Sequence, residues 1–356
     1  MSKTSNFFKT SAILSTALLS LLGACAIDDP IDYTTAAQTT NSGETISERD
    51  LTSIIETAKF IGDNETLEGV PNLEPLVLQS SSKALVVSVD APPAASATTD
   101  IAFLVDQSGS YGDDIVTFKS LSSDIVSEFQ KFSDSVKFGL TGFCDSGCGL
   151  YTLYQNLTSV ETEFQTALAP LTAGGGGDGP ESQLDGMYNT VEDLNWRQGS
   201  LRMIFMATDA TFANPGRTYN FDQTLEKLAS ENVVVFGLAS GSTNSDLNRV
   251  TSETGGEVYL LSSDSSGIVE KIKESVDKIN NNFEIRLDPG AGSKYVNSIS
   301  PSSISVTAGS TDPATFTADI DWESLVEDGY SAIKFNAYIK TEYGSYLYAQ
   351  PIVLVK

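Results

Sequence analysis

Histidine is missing from all 356 residues. Its absence removes every Ser-His-Asp triad, every Cys-His pair and every His-ligated zinc site at once. Basic residues are scarce as well: 21 Lys and Arg stand against 47 Asp and Glu, for a formal net charge of -26. A field of that sign repels phosphate backbones, so no nucleic acid is expected as a partner, and cations are the natural ligands. Most of the carboxylates serve solubility, and only clustered ones call for more. Cysteine is nearly absent, with Cys25, Cys144 and Cys148 as the whole supply. The apolar fraction of 40% still suits a globular chain with a sizeable core and room for two domains.

Residues 1–24 read as an export signal. Lys3 and Lys9 make a basic start, and residues 13–22 are apolar but too short to span a membrane as a mature helix. Leu22-Gly23-Ala24-Cys25 resembles the bacterial lipoprotein box, which implies cleavage before Cys25 and a lipid on its new N-terminus. An ordinary secretory signal cut nearby is the alternative. Ala26 stands where an Asp would signal retention at an inner membrane, so the resemblance implies the outer membrane or cell surface. In an exported protein, Cys144 and Cys148 in one Gly-containing loop are expected to form a small disulfide, with two free thiols as the lesser alternative.

Residues 25–46, rich in Thr, Asp, Ala and Ser without a period, fit a flexible tether. Within 47–98 a short helix over 47–60, capped by Ser47, precedes a strand over 83–89. From 99 to 281 apolar strands alternate with amphipathic helices. Strands are expected at 101–105, 136–143, 150–154, 201–207, 233–239 and 257–261, and helices at 115–132, 160–168, 183–194, 221–231, 245–253 and 265–279. Strands that are apolar throughout belong in a parallel sheet covered on both faces, so the fold class is α/β, doubly wound. Residues 282–356 lose the helical period and read as a smaller all-β sandwich, which the strand at 83–89 is placed to join.

In open α/β sheets ligands gather beyond the carboxyl ends of the strands. Asp106, Ser108 and Ser110 follow the first of these strands, Asp209 follows the run 201–207, and the glycine loop at 174–177 runs through Asp178 and Pro180 to Glu181. Oxygen donors at i, i+2 and i+4 project to one side of an extended segment and suit Mg²⁺ or Ca²⁺. The arrangement resembles the von Willebrand factor A domain with its metal-ion-dependent adhesion site, most closely the I-like domain of integrin β subunits. That resemblance covers about 180 residues. It implies Mg²⁺ or Mn²⁺ at a central site held by Asp106, Ser108, Ser110, Glu181 and Asp209, with Glu181 where many A domains use a Thr. It further implies an adjacent Ca²⁺ site at Asp113, Asp114 and the Ser263 carbonyl, and a third site at Asp145, Asp178, Pro180 and Glu181. Gly176 departs from the pattern there, in place of a coordinating Asn. The resemblance also implies insertion of the A domain into a hybrid-like β-sandwich; attachment at the C-terminal side alone is the simpler arrangement.

The leading functional expectation is a cell-surface, cation-dependent adhesion module, membrane-anchored by lipid, whose metal takes an Asp or Glu carboxylate from a protein partner. Two others stand beside it. One is a periplasmic scaffold with a structural metal. The other is a Mg²⁺-dependent phosphotransfer enzyme with Asp106 as nucleophile, although Ser108 occupies the place of the second Asp such enzymes need. Tyr111 is a candidate for the ligand face or an exposed aromatic without a role, and Asp185 reads as solvated surface.

Overall fold

The structure is a computed structural model that describes residues 48–356 apart from 63–66, 68, 81, 83, 90–97, 134, 146–147, 176–178, 242–243, 263–266 and 308–312. The chain first forms α1 (Glu48–Thr57), β1 (Lys59–Phe60), β2 (Leu76–Gln79) and β3 (Ala84–Val89). The first helix is shorter than its apolar spacing suggests because Lys59 and Phe60 pair in parallel with Ile333 and Lys334. Ser47, its expected cap, lies outside the described residues.

The expected alternation follows. β4 (Thr99–Asp106) leads through a 3-10 turn into α2 (Gly112–Phe132), then β5 (Val136–Phe143), β6 (Thr152–Thr158), α3 (Glu161–Leu168), β7 (Pro180–Glu181) and α4 (Gln183–Asp193). After these come β8 (Leu201–Thr208), β9 (Thr211–Phe212), α5 (Phe221–Ser230), β10 (Val233–Ser240), α6 (Ser245–Glu253), β11 (Val258–Leu261) and α7 (Ile268–Asn281). The central sheet runs β11-β10-β8-β4-β5-β6, and only β6 is antiparallel to its neighbour.

Every residue of β4 is buried because helices cover both faces. Ile101, Phe103 and Val105 point into one apolar cluster and Ala102 and Leu104 into the other, as the period of two requires. Phe103 lies at the centre of its face, with ring centroids 5.3 Å from Phe118 and 5.8 Å from both Phe164 and Phe205. Each such side chain contributes roughly 1.5–3 kcal/mol by leaving water. Helix starts are local: Asn220 and Gln223 form a capping box for α5, and Asn244 accepts the Leu247 N–H to cap α6.

Past α7 the chain forms β12 (Asn282–Asp288), β13 (Val296–Ser300), β14 (Ile304–Thr307), β15 (Ala314–Ile320), α8 (Trp322–Glu327), β16 (Ala332–Thr341) and β17 (Tyr346–Val355). One sheet runs β14-β12-β16-β17-β2 with β1 alongside β16, and a second runs β13-β15-β3. Leu85, Val87, Phe316, Phe335, Ile339 and Leu354 belong to the apolar cluster they share. Strands from before β4 thus complete sheets built after α7: β3 is antiparallel to β15, and β2 is parallel to β17. This part is not all strand. Asp321 accepts the Ser324 N–H at 3.0 Å and starts the unexpected helix α8.

Candidate functional site

The expected residues at the ends of β4 and β8 come together. Asp106, fully buried at 0% exposure, accepts the Ser108 N–H on Oδ1 at 2.8 Å and the Thr208 hydroxyl on Oδ2 at 2.6 Å. Burial pushes its carboxyl up to about 6, against the lowering effect of these hydrogen bonds, and the Asp209 charge adds to the rise. No Lys or Arg among the described residues contributes to that balance. Asp100, at the other end of the same strand, is equally buried but meets Arg197, with Nε donating to Oδ1 at 2.8 Å. Among the described residues, one buried acid thus meets a guanidinium, and the other has no Lys or Arg among the groups that shift it.

Ser108, extended at φ -61° and ψ 157°, brings its hydroxyl 3.1 Å from that of Ser110, which donates to Asp209 Oδ1 at 3.1 Å. Asp106 and Ser108 are buried, Asp209 is half-buried and Ser110 is exposed, so the cluster opens to solvent on one side. The glycine loop holds the segment from behind. Gly109 N–H donates to the Gly175 carbonyl at 2.8 Å, and the Gly174 N–H donates to the Gln107 carbonyl at 3.1 Å. Gly175 carries no side chain for a packing reason: a Cβ there would strike both sulfurs of the Cys144–Cys148 disulfide. The expected pairing of those two cysteines is thus present and lies directly behind the site.

Glu181 is buried at 3% exposure in the short strand β7, whose residues Pro180 and Glu181 pair with Thr211 and Phe212. Its carbonyl accepts the Ala213 N–H at 2.7 Å, which places its backbone beside the chain that follows Asp209. The donors near this end of the sheet are oxygens of carboxylates and hydroxyls, a set suited to Mg²⁺, Mn²⁺ or Ca²⁺. By itself no group of three or more His, Cys, Asp or Glu among the described residues forms a metal cluster. What the structure brings together is Asp106 and Asp209 through two serine hydroxyls.

The outlying residues fare differently. Asp113 is exposed in the first turn of α2, whereas Asp114 is buried and accepts the Ser240 hydroxyl at 2.8 Å, tying α2 to the end of β10. Ser263, Asp178 and Cys25 lie outside the described residues. Asp145 is taken by Arg217, whose Nε donates to Oδ1 at 3.0 Å and whose Nη2 pairs with Oδ2. The carboxylate expected at a third cation is thus neutralised by a guanidinium, which a reading by motif had no means of locating. Pro180 is exposed. Tyr111 is no ligand-face residue: at 1% exposure it packs in the core. Nor is Asp185 solvated, since it is buried and accepts the N–H groups of Arg217 at 2.9 Å and Thr218 at 2.7 Å, holding the loop before α5. Thr208 and Gln183 were missed altogether, the first because a Thr before an Asp carries no spacing signal of its own.

Residues 100–274 match the von Willebrand factor A domain family. The chain carries such a domain. Its mostly parallel, doubly covered sheet is the α/β architecture read from the apolar strands. A curated relative, alpha-protein kinase vwkA of Dictyostelium discoideum, is 30% identical over 126 residues. The alignment covers 33% of this chain and 19% of that protein, so the chain spans about a fifth of the relative's length.

Proposed function

We propose that this protein is a non-catalytic, divalent-cation-dependent binding module. Mg²⁺ or Mn²⁺ would be held by Asp106, Ser108, Ser110, Glu181 and Asp209, as in the integrin-like adhesion site, with Ca²⁺ beside it at Asp113, Asp114 and Ser263. The single observation that carries this reading is the convergence of Asp106, Ser108, Ser110 and Asp209 beyond the strand ends of an A domain, with Asp106 buried and no Lys or Arg among its partners in the described residues. A bound cation supplies the missing positive charge and a coordination position for an Asp or Glu carboxylate of a protein partner. The solvent-exposed side at Ser110 is where that carboxylate would approach.

The test is capture of partners from extracellular matrix or neighbouring-cell surfaces in Mg²⁺ and in chelator, with Asp106→Ala as control. Binding should vanish in chelator and in the variant, and binding that survives both would refute the reading. Full burial of Asp106 also favours a second reading, a metal that serves stability in a scaffold. A large Mg²⁺-dependent rise in melting temperature without any captured partner would select it.

The chain is proposed to be exported and lipid-anchored through Cys25 at the outer membrane or cell surface, on the strength of Leu22-Gly23-Ala24-Cys25. Among the described residues no helix is long and apolar enough to cross a membrane. Metabolic labelling with a fatty-acid analogue should tag the wild type and not Cys25→Ala; labelling of both would remove Cys25 as the anchor.

A further inference from the structure

We propose that Thr208 and Gln183 form a positioning pair that holds the cation-facing groups of three strand ends in one arrangement, an inference that rests on the cation reading above. Thr208 closes β8 immediately before Asp209 and is buried, at 1% exposure. Its hydroxyl meets three partners: Asp106 Oδ2 at 2.6 Å, the Ala210 N–H at 3.1 Å and Gln183 Nε2 at 3.4 Å. Two of these partners only donate. The hydroxyl oxygen therefore accepts from both nitrogens, and its one proton goes to the Asp106 carboxylate. Gln183 Nε2 also donates to the Ala210 carbonyl at 3.2 Å, which Asn244 Nδ2 reaches at 3.3 Å. The turn that presents Asp209 is thus held by Gln183 and by Thr208, and Thr208 also reaches Asp106.

The geometry has a consequence for coordination. With the Ser108 N–H on Oδ1 and the Thr208 hydroxyl on Oδ2, the plane of the Asp106 carboxylate is held from both sides. Each oxygen keeps a further lone pair for a cation or its bound water. Gln183 lies two residues beyond Glu181, so the pair also ties the β7 segment to the ends of β4 and β8. Outer groups that orient metal ligands in this way commonly govern affinity without touching the ion.

Valine has nearly the shape of threonine and lacks the hydroxyl, and serine keeps the hydroxyl. The experiment is titration of the full chain with Mn²⁺ alone, following free Mn²⁺ by electron paramagnetic resonance well below the melting temperature, with fold checked by circular dichroism in chelator. Thr208→Val should weaken Mn²⁺ binding by about tenfold or more, and Thr208→Ser should stay within about threefold of wild type. Wild-type affinity in Thr208→Val, or equal losses in the two variants, overturns the proposal. Gln183→Met removes the amide donor and leaves the Asp106 bond, so a loss of about threefold is expected. That variant decides the matter if Thr208→Val does not fold, and wild-type affinity in it then overturns the pair. A folded wild-type chain that binds no Mn²⁺ overturns the cation reading and the pair together, whereas normal wild-type binding with unaffected variants overturns the pair alone.

Discussion

Asp106 concentrates the physical conflict of this molecule in one side chain. Its carboxyl is raised from 3.8 to about 6 by burial. The folded state therefore holds the proton more tightly than the unfolded chain. Stability from this group is fully present below 3.8 and is lost as pH rises through about 6. At neutral pH without metal the ionised group costs on the order of 3 kcal/mol. Asp106→Asn should therefore be more stable than wild type to urea in chelator at pH 7.5, with the advantage shrinking at pH 5. An equal difference at both pH values would show that the charge is not the cause. In the same window the proton competes with a cation, so Mg²⁺ stabilisation of the wild type should fade as pH falls below about 6. The residue was legible from its place after an apolar run. Its burial, and the absence among the described residues of a basic partner of the kind Asp100 finds in Arg197, were not.

Elements explain why the site residues stay where they are. Past Asp106 the Gln107 N–H still donates to the Phe143 carbonyl of β5, and the loop at Gly174 and Gly175 then takes over the hydrogen bonding through the Gln107 carbonyl and the Gly109 N–H. The disulfide is the wall behind that loop. Gly175→Ala would drive a Cβ into both sulfurs and should cost about 1–3 kcal/mol, read from the urea midpoint, while also weakening Mn²⁺ binding. An unchanged midpoint would mean that the loop can move aside, contrary to the packing. Buried strands were easy to place from composition, since apolar runs between helices have one stable arrangement. The edge strand was harder: β6 starts at Thr152 and runs to Thr158 through half-buried polar residues, so the expected 150–154 misses its end. Helix α8 escaped because one and a half turns are too short to show a period.

At the scale of the whole molecule, the strands around the A domain interleave. A chain beginning at Thr98 lacks β1, β2 and β3, which uncovers β15 and β17 along with part of the shared apolar cluster. Such a truncation should aggregate on gel filtration, and a monodisperse product would show that residues 282–356 close their core without help. Net charge of -26 acts at this scale as well, by drawing cations toward the surface and weakening that attraction as salt rises. By itself the sequence determined what depends on neighbours along the chain: the alternation of strand and helix, the oxygen donors after β4 and β8, and the exclusion of histidine chemistry. Only the tertiary structure decided what depends on groups far apart in sequence meeting in space. Arg217 reaches Asp145, Thr208 reaches Asp106, Ser240 reaches Asp114 and the disulfide reaches Gly175. Periodicity carries information over a few residues, whereas a carboxylate's charge state is set by whatever the fold packs against it.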